Sequence, residues 1–283
     1  MPDFDKIQDG VNSELEDWLA FNRTDAFVTP GGLEFVAPFP PPTLMLWVSG
    51  LTDARDFASH GCDIFKALSL ACPTPLPAFS SILDFGVGVG RLARMFKGFR
   101  GRYAGVDVDK RHIAWVSQAL DYVEAFASQP KHRLPFPDAS FDCIISISVF
   151  THMSEHDQFF YLEELARLAQ PGATLLLTVH GERSLQRAEA EEKIFKMLSV
   201  PESSIPATRA AFENSGFNFI RQYRNFASSL FKYLTSDRYE YGITFISEGY
   251  MREHWSKYFD IVHFYPGAIH DFQDIVVLKA RER

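Results

Sequence analysis

Cysteine is scarce: the 283 residues contain three, Cys62, Cys72 and Cys143. An odd, widely spaced set excludes a disulfide framework and supplies no metal-type pairing, as expected of a chain in a reducing compartment. Long apolar runs are also missing, since none approaches the roughly 20 residues that a bilayer-spanning helix needs. Basic charge is outweighed, with 28 Lys and Arg against 36 Asp and Glu for a formal net charge of −8. Without a basic run, a nucleic-acid backbone is excluded as the expected partner. The first residues, Met1 to Asp5, are acidic and lack a signal-type apolar segment, so the expectation is a cytoplasmic protein with no membrane partner. The glycosylation-type triplet at Asn22, Arg23 and Thr24 is then a chance match. No internal repeat is visible.

Hydrophobic residues make up 46% of the chain, ample for a sizeable core. Its most informative stretch is SILDFGVGVGR at residues 81–91. A short apolar run (81–85) reads as a strand, followed by Gly86, Gly88 and Gly90 at alternate positions. A helical pattern then begins at Leu92, Ala93, Met95 and Phe96, with Arg91, Arg94, Lys97, Arg100 and Arg102 as its solvated face. Strand, glycine turn and helix start form the nucleotide-binding corner of an open α/β sheet. The dinucleotide fingerprint is G-x-G-x-x-G, whereas the spacing here is G-x-G-x-G, with Asp84 at the strand end before it.

A second strand ends at Asp107, within YAGVDVD at residues 103–109. A carboxylate there can accept hydrogen bonds from both ribose hydroxyls of an adenosine-type ligand. Asp109 is the better cap for the helix that follows, through Ile113, Val116, Ala119 and Leu120. A third stretch, residues 134–153, reads LPFPDASFDCIISISVFTHM. Its apolar run at 143–147 suits a buried parallel strand. Residues 154–169 form an amphipathic pattern with Ser154 and Asp157 as a capping box and Pro171-Gly172 beyond its end. A fifth strand is expected at 173–179.

The order of these motifs resembles the class I S-adenosylmethionine (SAM) dependent methyltransferases over about 200 residues. The resemblance implies a Rossmann-like α/β fold with a seven-stranded, mostly parallel sheet whose last strand is antiparallel. It implies SAM as cofactor, with Asp84, Gly86, Gly88, Gly90 and Asp107 on the binding side and Ser148 in the loop beside the transferred methyl group. Many relatives carry an acidic residue before the Leu-Pro-Phe turn to bind adenine. Here Lys131, His132 and Arg133 stand instead, so the adenine contact passes to backbone groups near Arg133 and Leu134. Residues 241–245, 255–259 and 266–278, with the N-terminal stretches at 40–44 and 48–50, further resemble methyltransferases encoded near or fused to glycosyltransferases. That implies a small-molecule or glycan-linked acceptor and glycosyltransferase-pathway partners.

Transfer to oxygen requires removal of a proton by a group within hydrogen-bond reach. His152 after the fourth strand and His180 after the fifth are the catalytic candidates, both at the carboxyl edge where ligands bind. His270 stands beside Asp271 and Asp274, but that spacing is too unspecific to assign a metal. The expected function is methyl transfer from SAM, with oxygen as the favoured acceptor atom. Two alternatives remain: a non-catalytic SAM-binding protein of a glycan-assembly system, and an NAD-dependent oxidoreductase, which the glycine spacing disfavours.

Residues 1–80 are expected to form a cap on a methyltransferase domain at 81–283, itself carrying an insertion at about 181–248. In the cap, Ile7, Val11, Leu15, Trp18 and Leu19 predict one amphipathic helix, Pro30-Gly31-Gly32 a break, and 52–60 and 63–71 two helices separated by Gly61. In the insertion, Leu185, Ala188, Phe195 and Leu198 predict a charged helix closing the parallel sheet, and 207–215 a shorter helix stopped by Gly216. Segments 217–223 and 242–247 read as strands that pair. The aromatics Phe226, Phe231, Tyr233, Tyr239 and Tyr241 divide between core and substrate wall.

Overall fold

The computed structural model describes residues 4–24, 32–222 and 240–282. The Pro30-Gly31 break and Phe226, Phe231, Tyr233 and Tyr239 lie outside the described residues. Seven strands form one sheet: β1 (Ser81–Phe85), β2 (Arg102–Asp107), β3 (Val123–Ala127), β4 (Phe141–Ser146), β5 (Ala169–Val179), β8 (Phe259–Ile269) and β9 (Gln273–Ala280), in the order β3-β2-β1-β4-β5-β9-β8. β1 with β2, β2 with β3, and β4 with β5 pair in parallel, while β9 runs antiparallel to both β5 and β8. The fold is a Rossmann-like α/β fold, with the last strand, β9, antiparallel as expected. Two compact units divide the chain, Met1–Ser128 and Gln129–Arg283. Among the described residues, no helix is long and apolar enough to cross a membrane.

The first unit begins with two 3-10 turns, Phe4–Ile7 and Gly10–Asn12, before α1 (Leu15–Arg23). The single helix expected from Ile7 to Leu19 is therefore broken. Gly10 adopts left-handed backbone (φ 57) against the carbonyl of Lys97, where a Cβ would collide. A short turn, α2 (Gly32–Phe35), and α3 (Pro42–Ser49) follow, then α4 (Ala54–Ala71). Asp53 caps α4 by accepting from the N–H groups of Arg55 and Asp56. The expected break at Gly61 is absent, and α4 passes straight through it. Gly61 serves instead as a close approach, since a Cβ there would stand 3.0 Å from the Arg91 carbonyl oxygen. Sequence alone cannot separate a helix-breaking glycine from a packing one.

After the glycine loop the chain makes one 3-10 turn, Ala93–Phe96, rather than a longer helix. The basic face expected there is not solvated as a whole, for Arg94 is 2% exposed. Its Nε donates to Pro38 O at 2.9 Å, its Nη2 to Ala37 O at 2.6 Å, and its guanidinium lies 3.5 Å from the Phe39 ring centroid. The N-terminal segment thus lies on this turn, and Trp18 Nε1 also donates to Met95 O at 2.9 Å. Further on, α5 (Lys110–Ala119) is capped by Asp109, as expected.

In the second unit Ser154 caps α6 (Glu155–Leu168), accepting from Asp157 N–H as the capping-box pattern implies. β5 starts at Ala169, directly after that helix. The charged helix expected after β5 is two helices, α7 (Glu182–Ala190) and α8 (Glu192–Leu198), broken at Glu191. It does not simply close the large sheet. Leu185, Ala188, Ile194 and Leu198 share a separate core with Ile205 and Phe212 of α9 (Ser204–Ser215) and with Ile220, Ile243 and Phe245. Those last three belong to a two-stranded antiparallel sheet, β6 (Phe217–Arg221) with β7 (Gly242–Ile246), the expected pair. Gly216 ends α9 in left-handed backbone, and α10 (Glu248–His254) follows β7 behind a Ser247 cap.

Candidate functional site

All five residues of β1 are buried, and the loop after it turns back over β2. Gly86 and Val87 donate their N–H groups to Val106 O at 2.9 and 3.0 Å. Gly86, Gly88 and Gly90 have φ values of 90, 54 and 81°, backbone that only glycine adopts readily. A Cβ on Gly90 would stand 2.6 Å from Leu120 Cδ1, and one on Gly88 3.2 Å from Val48 Cγ1 of α3. The alternate glycines are therefore set by turn conformation, and at Gly88 also by contact with α3.

Asp107 fastens this loop. Its Oδ2 accepts from Gly88 N–H at 3.0 Å, its Oδ1 accepts from Asp109 N–H at 2.7 Å, and His112 Nδ1 lies 3.3 Å away. The side chain is 14% exposed at the carboxyl end of β2. Asp109 takes the capping role, accepting from Arg111 N–H at 2.8 Å. Burial alone would raise its carboxyl, but hydrogen bonds from the Arg111 side chain and N–H hold it below the usual range. Asp84 is 2% exposed and accepts from Tyr103 Oη at 2.8 Å. Burial pushes its carboxyl up to about 7, against the pull of the Tyr103 hydroxyl. Asp84 is therefore a buried group tied to Tyr103 of β2.

In the second unit the Leu134 N–H donates to Glu164 Oε1 at 2.7 Å, and Arg167 Nη2 donates to Leu134 O at 3.3 Å. The Leu134 N–H thus has a carboxylate partner within the protein. Arg133 is exposed, and Lys131 Nζ lies 2.7 Å from Asp157, itself 1% exposed. The basic residues before the Leu-Pro-Phe turn therefore include the partner of a buried acid.

Ser148, just past β4, holds left-handed backbone (φ 58), which is strained for a residue with a side chain. Its N–H donates to Thr178 Oγ1 at 2.7 Å, and its Oγ pairs with the Gln273 amide, 2.9 Å from Nε2. Thr178 and Gln273 carried no signal in the sequence, because only the pairing of β5 with β9 brings residue 273 toward residue 148.

His152 is half-buried, and its Nδ1 lies 2.8 Å from Gly242 O. Its ring stacks on Tyr241 with centroids 4.6 Å apart and an interplanar angle of 13°, and meets His180 edge-on at 6.4 Å. Burial lowers its pKa, partly opposed by the Gly242 carbonyl. His180 is 3% exposed between Phe245 and Phe272. Burial first, and then the neighbouring His152, drive its pKa down to about 3. A nitrogen that weakly basic is a poor proton acceptor at neutral pH, which counts against His180 in the role of base.

His270 and Asp271 form the turn between β8 and β9, with Asp271 paired to Arg183. No cluster that could hold a metal occurs among the described residues. Asp274 is 1% exposed, and its Oδ1 accepts from Gly267 N–H at 2.7 Å. Burial pushes its carboxyl up to about 7; the Gly267 bond opposes this and Glu248 adds to it. The unfolded chain loses this proton near 4, whereas the folded protein keeps it until about 7. The group therefore opposes folding increasingly as pH rises from 4 to 7, and fully above 7. Asp274→Asn keeps an acceptor for Gly267, so its melting temperature relative to the parent should be higher by a few degrees at pH 8 than at pH 5. Equal differences at both pH values would show that the carboxyl is not held neutral.

Residues 83–177 match a protein family described as a methyltransferase domain. The chain is 27% identical over 134 residues to 2-methyl-6-phytyl-1,4-hydroquinone methyltransferase of Synechocystis, a match covering 46% of this chain and 42% of that protein. It is 25% identical over 120 residues to ajmaline N-methyltransferase of Rauvolfia serpentina, covering 40% of each. The chain thus spans about two fifths of the length of these relatives. The crystal structure of a protein from Pyrococcus horikoshii OT3 aligns with a TM-score of 0.53 at 15% identity, covering 77% of this chain and 90% of that one. A likeness at that identity concerns the fold alone.

Proposed function

We propose that the chain is a SAM-dependent methyltransferase that acts on a small-molecule acceptor, at oxygen. The observation that carries the reading is the G-x-G-x-G loop fastened by its Gly88 N–H to Asp107, inside the segment that matches a methyltransferase domain. The donor set fits the cofactor. Left-handed glycines let backbone approach a ligand closely, and a carboxylate at the end of β2 can accept from ribose hydroxyls. When bound, SAM supplies the methyl group on a sulfonium that is its own leaving group. The chain then has to hold, orient and deprotonate. Asp107 and the glycine loop hold the nucleoside. Residues 1–80 act as a cap, with Val48 resting at Gly88. His152 takes the proton from an acceptor hydroxyl.

The relatives named above act on a hydroquinone and on ajmaline, which supports a small organic acceptor. A glycan-linked acceptor and glycosyltransferase-pathway partners form the narrower version, resting on the motifs at 241–245, 255–259 and 266–278. Three cysteines without disulfides agree with a cytoplasmic setting. Thermal unfolding with S-adenosylhomocysteine, and separately with NAD(H), tests the reading. At about 100 times its dissociation constant a ligand stabilises by roughly 2.7 kcal/mol, a shift of several degrees. A shift with S-adenosylhomocysteine alone is expected. A shift with NAD(H) alone would overturn the reading in favour of an oxidoreductase.

A further inference from the structure

We propose that the dipeptide Tyr241-Gly242 at the start of β7 positions His152, holding its imidazole as the Nδ1–H tautomer with Nε2 presented as the proton acceptor. The inference deepens the methyltransferase reading and takes from it the idea that His152 is the base.

Two contacts fix the ring. Stacking on Tyr241, at 4.6 Å and 13°, sets its plane, and the 2.8 Å hydrogen bond to Gly242 O sets its rotation within that plane. A carbonyl oxygen only accepts, so the neutral ring carries its proton on Nδ1 and its lone pair on Nε2. The two constraints come from adjacent residues, at the point where β7 begins.

β7 is itself well anchored. Thr244 Oγ1 donates to Met153 O at 2.5 Å, and Ile246 N–H donates to His180 O at 2.9 Å. The strand therefore grips the loop that carries His152 and the end of β5 together. Gly242 is required for this. A Cβ there would press into the Phe219 ring, 2.6 Å from Cε2, and into the Ile220 carbonyl, forcing β7 away from β6. The two-stranded sheet is therefore the support of the base.

Among the described residues, the titratable groups facing His152 are His180 at the end of β5 and Tyr241 itself. No carboxylate pairs with His152 among the described residues. Its basicity is therefore governed by how far its ring is shielded from water, and Tyr241 covers one face. Burial does lower its pKa, in the direction this shielding requires.

Nitrogen-15 NMR of the imidazoles in the free protein tests the proposal, with His152 assigned by the signal lost in His152→Gln. The expected result is a protonated Nδ1 and an unprotonated Nε2 in the neutral ring, titrating below the ordinary histidine range. Tyr241→Phe keeps the ring and should leave both properties unchanged. Tyr241→Ala should raise the pKa toward the ordinary value and mix the two tautomers. A wild-type ring already protonated on Nε2 would overturn the proposal. So would a titration that Tyr241→Ala leaves unmoved. If that variant fails to fold, the wild-type tautomer and the Tyr241→Phe titration still decide. The measurement needs neither cofactor nor acceptor, so its failure is distinct from failure to bind S-adenosylhomocysteine.

Discussion

His152→Gln should slow methyl transfer by about 10²- to 10⁴-fold, the range general-base catalysis contributes, and should leave S-adenosylhomocysteine affinity unchanged. The proposed base is the neutral ring, and burial lowers its pKa. Acidification removes activity only once His152 becomes protonated. The acid limb of kcat/KM should therefore fall below the ordinary imidazole range near 6.5, and it should vanish in the glutamine variant. Labelled SAM with an acceptor found by screening hydroxylated small molecules would supply the rates. An unchanged kcat would end the candidacy of His152. The same loss in His180→Gln as in His152→Gln would mean that the pair acts as a unit, contrary to the weak basicity of His180.

Asp107→Ala should weaken S-adenosylhomocysteine about 10- to 100-fold, the loss of charge-assisted hydrogen bonds worth about 1.5–3 kcal/mol. Unlike a purely ligand-facing carboxylate, Asp107 also accepts from Gly88 and Asp109. Its removal leaves two backbone N–H groups without those acceptors, so the ligand-free protein should lose about 1–2 kcal/mol as well. Asp107→Asn keeps one acceptor and should recover part of that stability while binding remains weak. Calorimetric titration and thermal unfolding read the two effects separately. Full affinity in the alanine variant would remove Asp107 from the ribose site.

The parts of the site legible in the sequence are those built from short stretches of chain. The strand, glycine turn and second strand lie within residues 81–107, and their chemistry follows from backbone that a Cβ would forbid and from one carboxylate at a strand end. The caps Asp109 and Ser154 were equally readable, because a capping side chain acts on N–H groups two or three residues away. The errors share a cause. Gly61 looks like a breaker until Arg91 is seen against it, and Arg94 looks solvated until Ala37, Pro38 and Phe39 surround it. Each depends on a segment far away in the chain.

The sequence by itself determined the order of elements, the glycine loop with Asp107, the antiparallel last strand implied by its family resemblance, and the two histidines at the strand ends. Only the tertiary structure gave those histidines different surroundings. It put His180 where water cannot stabilise a charge, and it brought Gly242, 90 residues away, to the edge of His152. It likewise placed Gln273 on Ser148 across 125 residues. Local backbone chemistry is written in residue type and spacing. Desolvation and long-range hydrogen bonds exist only once distant segments have packed.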